Sequence, residues 1–182
     1  MGQNKKLNIR LASHADADLV GELSNRSLAE IAAAGGSSQD KEAYYEACLD
    51  SDKRRNELAN PHQFFLLAEV KQGPVGYAKL RANYPTVKIN CQRPAELVRL
   101  YVRRELTGMG VGAALLQSLL KEAENRGFDT IWLTVWENNY GARAFYRQFG
   151  FVEAGTQVQS SGDNKQYDLL LYRSIPWRAP QQ

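Results

Sequence analysis

Apolar positions along the chain switch between a period of two and a period near 3.6, and each switch marks an element. Alternation over residues 7–11 predicts a first, edge-like strand. Ser13 to Asp18 supply helix-start side chains, and Leu19, Leu23, Leu28 and Ile31 follow as an approximate helical stripe. Gly35, Gly36, Ser37 and Ser38 break that stripe. A second, more polar helix is expected over 40–58, with Tyr44, Tyr45, Cys48 and Leu49 as its apolar face and Asn60–Pro61 as its stop. Residues 64–70 and 75–80 read as strands joined through Gln72, Gly73 and Pro74. Residues 83–94 hold two prolines among polar positions and read as a loop or an irregular edge strand.

The densest apolar run then begins. Residues 97–102 form a buried strand pattern, 103–107 a polar turn, and Gly108, Gly110 and Gly112 open a helix expected over 111–125. Leu115, Leu116, Leu119, Leu120 and Ala123 are its inner side, and Arg126–Gly127 its end. Residues 131–136 are nearly all apolar, as in a strand covered on both faces. Strand, helix, strand over 97–136 is the pattern of a right-handed crossover between two parallel strands. Asn138 or Asn139 is placed to cap a further helix, on which Ala142, Phe145, Tyr146 and Phe149 fall at helical spacing, with Gly150 after its end. Residues 151–159 and 167–173 look like a final antiparallel pair joined through 160–164. The expected organisation is a tail over 1–6, one α/β domain over 7–175 built on a mixed central sheet flanked by helices, and a tail over 176–182.

A strand-to-helix junction rich in glycine has a specific chemistry. The first N–H groups of the helix lack intrahelical partners, and the positive end of the helix dipole lies beside them. An anion such as a pyrophosphate satisfies both, and glycine lets it approach without a Cβ in the way. The run lacks the Lys-Ser/Thr ending of a nucleotide-triphosphate loop, and its G-x-G-x-G spacing is not that of a dinucleotide site. On these glycines alone, a phosphate cradle and a tight packing turn fit equally.

Composition narrows the class. The chain has 182 residues, enough for one full core, with 43% hydrophobic and 24% charged residues, as in a globular protein. A net charge of +3 with no long basic run does not mark a nucleic-acid binder. No stretch has the length and apolarity to cross a membrane or to act as a signal peptide. Cys48 and Cys91 lack metal-ligand spacing, His14 and His62 stand alone, and no metal is expected. The simplest reading is a cytoplasmic protein in a reducing compartment.

Four segments then occur in order: Glu96 to Val102, Gly108-Met109-Gly110-Val111-Gly112, Asn139 with Ala142, Phe145 and Tyr146 behind it, and Phe149-Gly150-Phe151. Together they resemble the GCN5-related N-acetyltransferase (GNAT) superfamily. Residues 132–171, with Val135-Trp136-Glu137-Asn138-Asn139 and Gln166-Tyr167-Asp168-Leu169, look most like bacterial spermidine/spermine acetyltransferases. One departure is visible: Thr107 stands where the family usually has Gln or Arg. The resemblance implies acetyl-CoA as co-substrate and a small-molecule amine acceptor such as spermidine. Other acceptors it admits are a protein N-terminus, an amino acid or an antibiotic amine. A non-catalytic acyl-CoA sensor is the rival class, and a homodimer is common among such proteins.

By the same resemblance, Leu100, Tyr101 and Val102 line the pantetheine arm. Thr107, Gly108, Met109, Gly110, Val111, Gly112 and Ala113 form the pyrophosphate site. Asn139 contacts the pantetheine arm, with helix capping as its structural alternative. Tyr146 is the general acid for the departing thiolate, against a reading as a core aromatic. Glu96 is a candidate base for the amine, against a reading as a solvated strand end. Acetyl transfer to an amine needs a deprotonated amine, donors for the developing oxyanion and a proton for the thiolate. Direct transfer between two bound substrates needs no covalent enzyme intermediate.

Overall fold

The computed structural model describes residues 6–33, 51–82, 89–161 and 164–176. Its elements run β1 (Asn8–Leu11), α1 (Ala17–Ala33), α2 (Ser51–Ala59), β2 (Gln63–Val70), β3 (Gly73–Ala82), β4 (Pro94–Val102), α3 (Val111–Asn125), β5 (Thr130–Trp136), α4 (Tyr140–Gln148), β6 (Val152–Ser161) and β7 (Asn164–Ser174). Short 3-10 turns precede α1 (His14–Asp16) and follow β4 (Arg104–Leu106). The seven strands lie in the order β1-β2-β3-β4-β5-β7-β6. The pairings β1–β2, β5–β7 and β6–β7 are antiparallel and β4–β5 is parallel, so the sheet is mixed as expected.

The chain divides into two compact units, residues 1–80 with 99–119 and residues 81–98 with 120–182. In the first, α1 is set by its entry. The Asp16 carboxylate accepts from Ser13 N at 2.7 Å and takes a fork from Arg10, whose other edge reaches Glu69 of β2. The Arg10 guanidinium holds the Asp16 carboxyl well below the usual carboxylate range. This pins β1 and β2 to the helix start and fixes which face of α1 is buried. Val20 and Leu23 pack with Phe65, Leu67, Tyr77 and Tyr101, and Leu58 of α2 leans on the same cluster. Leu23 and Leu28 of the expected stripe are buried; Leu19 is half-buried at its edge, and Val20 is buried beside it.

In the second unit, β5 is buried from Thr130 to Leu133 and at Val135, while Trp136 at its end is 49% exposed. β4 begins at Pro94, earlier than the 97–102 run: Pro94, Ala95 and Glu96 pair with Thr130, Ile131 and Trp132. Asp129 sets that start by accepting from the backbone of Gln92 and Arg93 at 2.8 and 3.0 Å. A proline is tolerated at the first residue of a strand, where its missing N–H costs no ladder bond. β6 and β7 form the expected terminal pair, with a bulge between Glu153 and Gly155.

α4 closes on Gly150, whose φ of +78° is left-handed backbone. Phe151 N then reaches back to Tyr146 O at 3.2 Å, and the two rings meet edge to face at 5.5 Å. That is a helix C-terminus sealed by a six-to-one bond and its apolar contact. Residues 40–50 of the expected second helix, with Tyr44, Tyr45, Cys48 and Leu49, lie outside the described residues, as do 83–88 and the 162–163 link; the described part of that helix is α2. Among the described residues no helix is long and apolar enough to cross a membrane.

Candidate functional site

The expected residues fall into three groups. The first runs from the end of β4 through the glycine turn into α3. Tyr101 is buried, Leu100 and Val102 half-buried, and Thr107 to Gly110 form an exposed turn. Bonds from Leu106 N, Thr107 N and Met109 N back to Arg103, Arg104 and Leu106 wind the chain tightly out of the strand. Gly108 and Gly110 take φ of +80° and +84°, backbone that L side chains rarely adopt, and a Cβ at either would face open space. The first helical bond that reaches back into the turn is Ala114 N to Gly110 O at 3.0 Å. The backbone N–H groups of Gly108, Gly110, Val111, Gly112 and Ala113 therefore have no acceptor among the described residues.

Five orphan donors around a solvent-facing turn, at the N-terminus of a 15-residue helix, are a receptor for an anion. A diphosphate fits this donor set, because backbone N–H groups in a fixed concavity match charge-dense oxygens without needing a basic side chain. Thr107 is exposed and extended at the head of the turn, so its departure from the usual residue leaves the backbone cradle intact.

The second group sits on α4. Asn139 is the residue that caps the helix, its Oδ1 accepting from Ala142 N at 3.1 Å. Its structural reading is therefore observed, and it leaves the Asn139 side-chain amide free to act as a donor. Tyr146 lies near the other end of the same helix, half-buried between Phe145 at 5.3 Å and Phe151. Burial pushes its phenol up to about 12, and its hydroxyl has no acceptor among the described residues.

The third group is Glu96. Its Oε2 accepts from Arg81 Nε at 2.9 Å and also from Arg81 Nη2, and its side chain is 13% exposed. The expectation of a solvated strand end does not describe it, since a guanidinium from β3 holds it. Both contacts fall on Oε2, and Arg81 makes none to Oε1. No local signal in the sequence announces this pair, because it joins two strands across a 15-residue separation.

Sequence reasoning also missed a network at the mouth of the first group. Tyr101 donates its hydroxyl to Glu30 Oε1 at 3.1 Å, and Arg26 bridges Glu105, just ahead of the glycine turn. Burial first, then the Glu30 carboxylate, push the Tyr101 phenol up to about 12. Among the described residues no three His, Cys, Asp or Glu side chains gather as a metal site.

The model of the acetyltransferase (GNAT) family matches residues 28–151. A Lactobacillus delbrueckii subsp. lactis protein named uncharacterized N-acetyltransferase in pepI 3'region is 27% identical over 153 residues, covering 84% of this chain and 88% of its own. A GNAT-family acetyltransferase from Streptococcus pneumoniae superposes with a TM-score of 0.74 at 22% identity, over 94% of this chain and all of its own. The PaiA N-acetyltransferase of Thermoplasma acidophilum, solved with coenzyme A, superposes with a TM-score of 0.69 at 22% identity, over 93% and 99% of the two chains. The family model spans well over half the chain, on the segments that carry the glycine turn and α4: the chain belongs to the acetyltransferase (GNAT) family and is an N-acetyltransferase.

Proposed function

We propose that the protein moves an acetyl group from acetyl-CoA directly to a primary amine while both are bound, with residues 7–175 as the catalytic domain. The observation that carries this is the set of unpartnered N–H groups from Gly108 to Ala113, which receives the pyrophosphate. Two proteins of this fold were solved with the same class of ligand, PaiA with coenzyme A and Salmonella typhimurium yncA with acetyl-CoA. Bound, acetyl-CoA supplies an activated thioester; the rest of the work falls to this chain's residues.

Leu100 to Val102 offer strand backbone to the pantetheine arm, and Asn139 adds its amide. Tyr146 holds a proton at Oη toward the departing sulfur. It stays protonated across the physiological range because burial disfavours its phenolate. Glu96 is a weaker candidate as base, since Arg81 holds it; removal of the amine proton by water or by solvent buffer fits the geometry better.

For the acceptor we propose a polyamine such as spermidine. Carboxylates suit a polycation, and Glu30 and Glu137 are half-buried and Asp168 buried, with Glu42 and Glu46 outside the described residues. A second acceptor has support of its own. An Escherichia coli enzyme named [ribosomal protein bS18]-alanine N-acetyltransferase is 42% identical over 60 residues, a third of this chain. That likeness favours a peptide α-amine.

The donor assignment is tested by thermal shift and calorimetry with acetyl-CoA. The ligand should raise Tm, and Gly110→Val, which both strains a φ of +84° and puts a side chain on the cradle floor, should weaken binding by about ten- to a hundredfold. Unchanged affinity in folded Gly110→Val protein sinks the assignment. Coenzyme A release with spermidine, an alanyl peptide and neutral amino acids then ranks the acceptors, and neutral amino acids in first place would reject the polyamine.

A further inference from the structure

We propose that Glu30, held by Tyr101, is the residue that pairs with the non-reacting ammonium of a diamine or polyamine acceptor. This deepens the polyamine reading above and rests on it.

Two polar pairs tie α1 to the strands beneath it, and they differ. Ser24 and the Tyr77 hydroxyl meet at 3.1 Å, both buried. Both are neutral groups, and the pair is buried. Farther along α1, the Tyr101 hydroxyl donates to Glu30 Oε1 at 3.1 Å, but Glu30 retains 31% side-chain exposure. A carboxylate has acceptor capacity for about four hydrogen bonds. Here one neutral donor fills one site, and Oε2 has no partner among the described residues.

The nearest cation does not complete it. Arg26 Nε stands 3.7 Å from Glu30 Oε1, beyond hydrogen-bond distance, while its Nη2 is committed to Glu105. Arg103 adds a second, longer contact to Glu105 at 3.5 Å. So Arg26 is shared, an i,i+4 ion pair to Glu30 and a hydrogen bond to Glu105, and Glu30 keeps an Oε2 with no partner among the described residues.

Its position gives that anion a use. Tyr101 sits on the segment of β4 assigned to the pantetheine arm, and side chains alternate along a strand. Leu100 and Val102 lean to one face and Tyr101 to the other, toward α1, so Glu30 is attached to the donor strand from the α1 side. A monoamine brings one nitrogen, which must lose its charge to react. A diamine brings a second nitrogen that stays cationic, and Glu30 meets that charge without entering the chemistry. Tyr101 is then a positioning residue, since its hydroxyl fixes the carboxylate and makes no contact with the acceptor.

Steady-state kinetics on the full chain test this with spermidine and n-butylamine as acceptors. Glu30→Gln keeps an acceptor for the Tyr101 hydroxyl and removes only charge, so folding, read by Tm, should hold. KM for spermidine should rise about tenfold or more, while KM for butylamine and the affinity for acetyl-CoA stay put. Glu30→Asp keeps the charge and should recover part of the loss. Tyr101→Phe should raise KM for spermidine by a smaller factor, because the carboxylate survives but is no longer fixed. If wild type prefers spermidine and Glu30→Gln shifts both acceptors equally or neither, Glu30 is structural and the proposal falls alone. If wild type binds acetyl-CoA yet uses butylamine as well as spermidine, the polyamine reading falls and takes this proposal with it.

Discussion

Tyr101 on β4 and Tyr146 on α4 are both pushed up to about 12, and burial is the leading cause for each. Their hydroxyls are in opposite situations. Tyr101 has handed its proton's hydrogen bond to Glu30. Tyr146 is wedged by its ring between Phe145 and Phe151, while its hydroxyl has no acceptor among the described residues. Tyr146 is half-buried, so a hydroxyl with no protein acceptor is left to water or to a ligand. Similar titration behaviour therefore accompanies a hydroxyl with a protein partner in one place and a hydroxyl without one among the described residues in the other. The partner, not the pKa, separates the two.

The comparison breaks or holds first at Tyr146. A phenol near 12 facing a thiol near 8.5 would lose roughly 5 kcal/mol in handing over its proton completely. A hydrogen bond to the developing thiolate is the role that fits, and it places the expected effect at the low end of general-acid contributions. Tyr146→Phe should lower kcat about a hundredfold, with Tm and acetyl-CoA affinity nearly unchanged because the ring contacts remain. An unaltered kcat would reduce Tyr146 to the packing role its contact with Phe151 already shows.

The same distinction explains what was legible in the sequence. The crossover through β4, α3 and β5 was visible because its signals are local: apolar runs, glycines at the turn, a glycine past the helix. The glycine turn was visible for the same reason, and the structure adds that five of its N–H groups have no acceptor among the described residues. Three features were not visible. The start of β4 at Pro94 depends on Asp129 gripping the backbone ahead of it. The clasp at the entry to α1 depends on Arg10 reaching both Asp16 and Glu69, partners that no local pattern marks. The state of the candidate carboxylates depends on partners 15 and 71 positions away, Arg81 for Glu96 and Tyr101 for Glu30. Period and spacing read what a residue is; they do not read which distant group has claimed it.

Glu96 sharpens the comparison as the held carboxylate. Its bond to Arg81 is charge-assisted and mostly buried on the Glu96 side, though Arg81 keeps 35% exposure, which discounts its worth. Glu96→Gln should cost about 1–2 kcal/mol of stability, measured by denaturant unfolding, and change kcat little. The contrary outcome, an intact fold with kcat reduced by orders of magnitude and the acid limb of the pH–rate profile removed, would make Glu96 the base.

The smallest effect belongs to Tyr101. Tyr101→Phe keeps the ring beside Tyr77, 6.2 Å between centroids, and deletes one hydrogen bond to a carboxylate. It should cost about 0.5–1.5 kcal/mol near neutral pH and leave kcat unaltered. The pH dependence carries a further signature. A phenol raised from 10 to about 12 on folding favours the protonated form in the native state. Its contribution is fully present below pH 10, the unfolded value, and is lost as pH rises through 12. Between those limits wild type should lose stability faster than Tyr101→Phe, and the gap between their unfolding curves should close. Tyr146→Phe, near wild type in Tm at neutral pH, should instead become the more stable of the two as pH rises above 10, since only wild type carries the phenol, and it should differ from Tyr101→Phe in kcat at every pH below 10. Parallel unfolding curves for Tyr101→Phe and wild type across that window would mean that the hydroxyl is not buried against Glu30 in solution, and the contrast between the two tyrosines would lose its structural half.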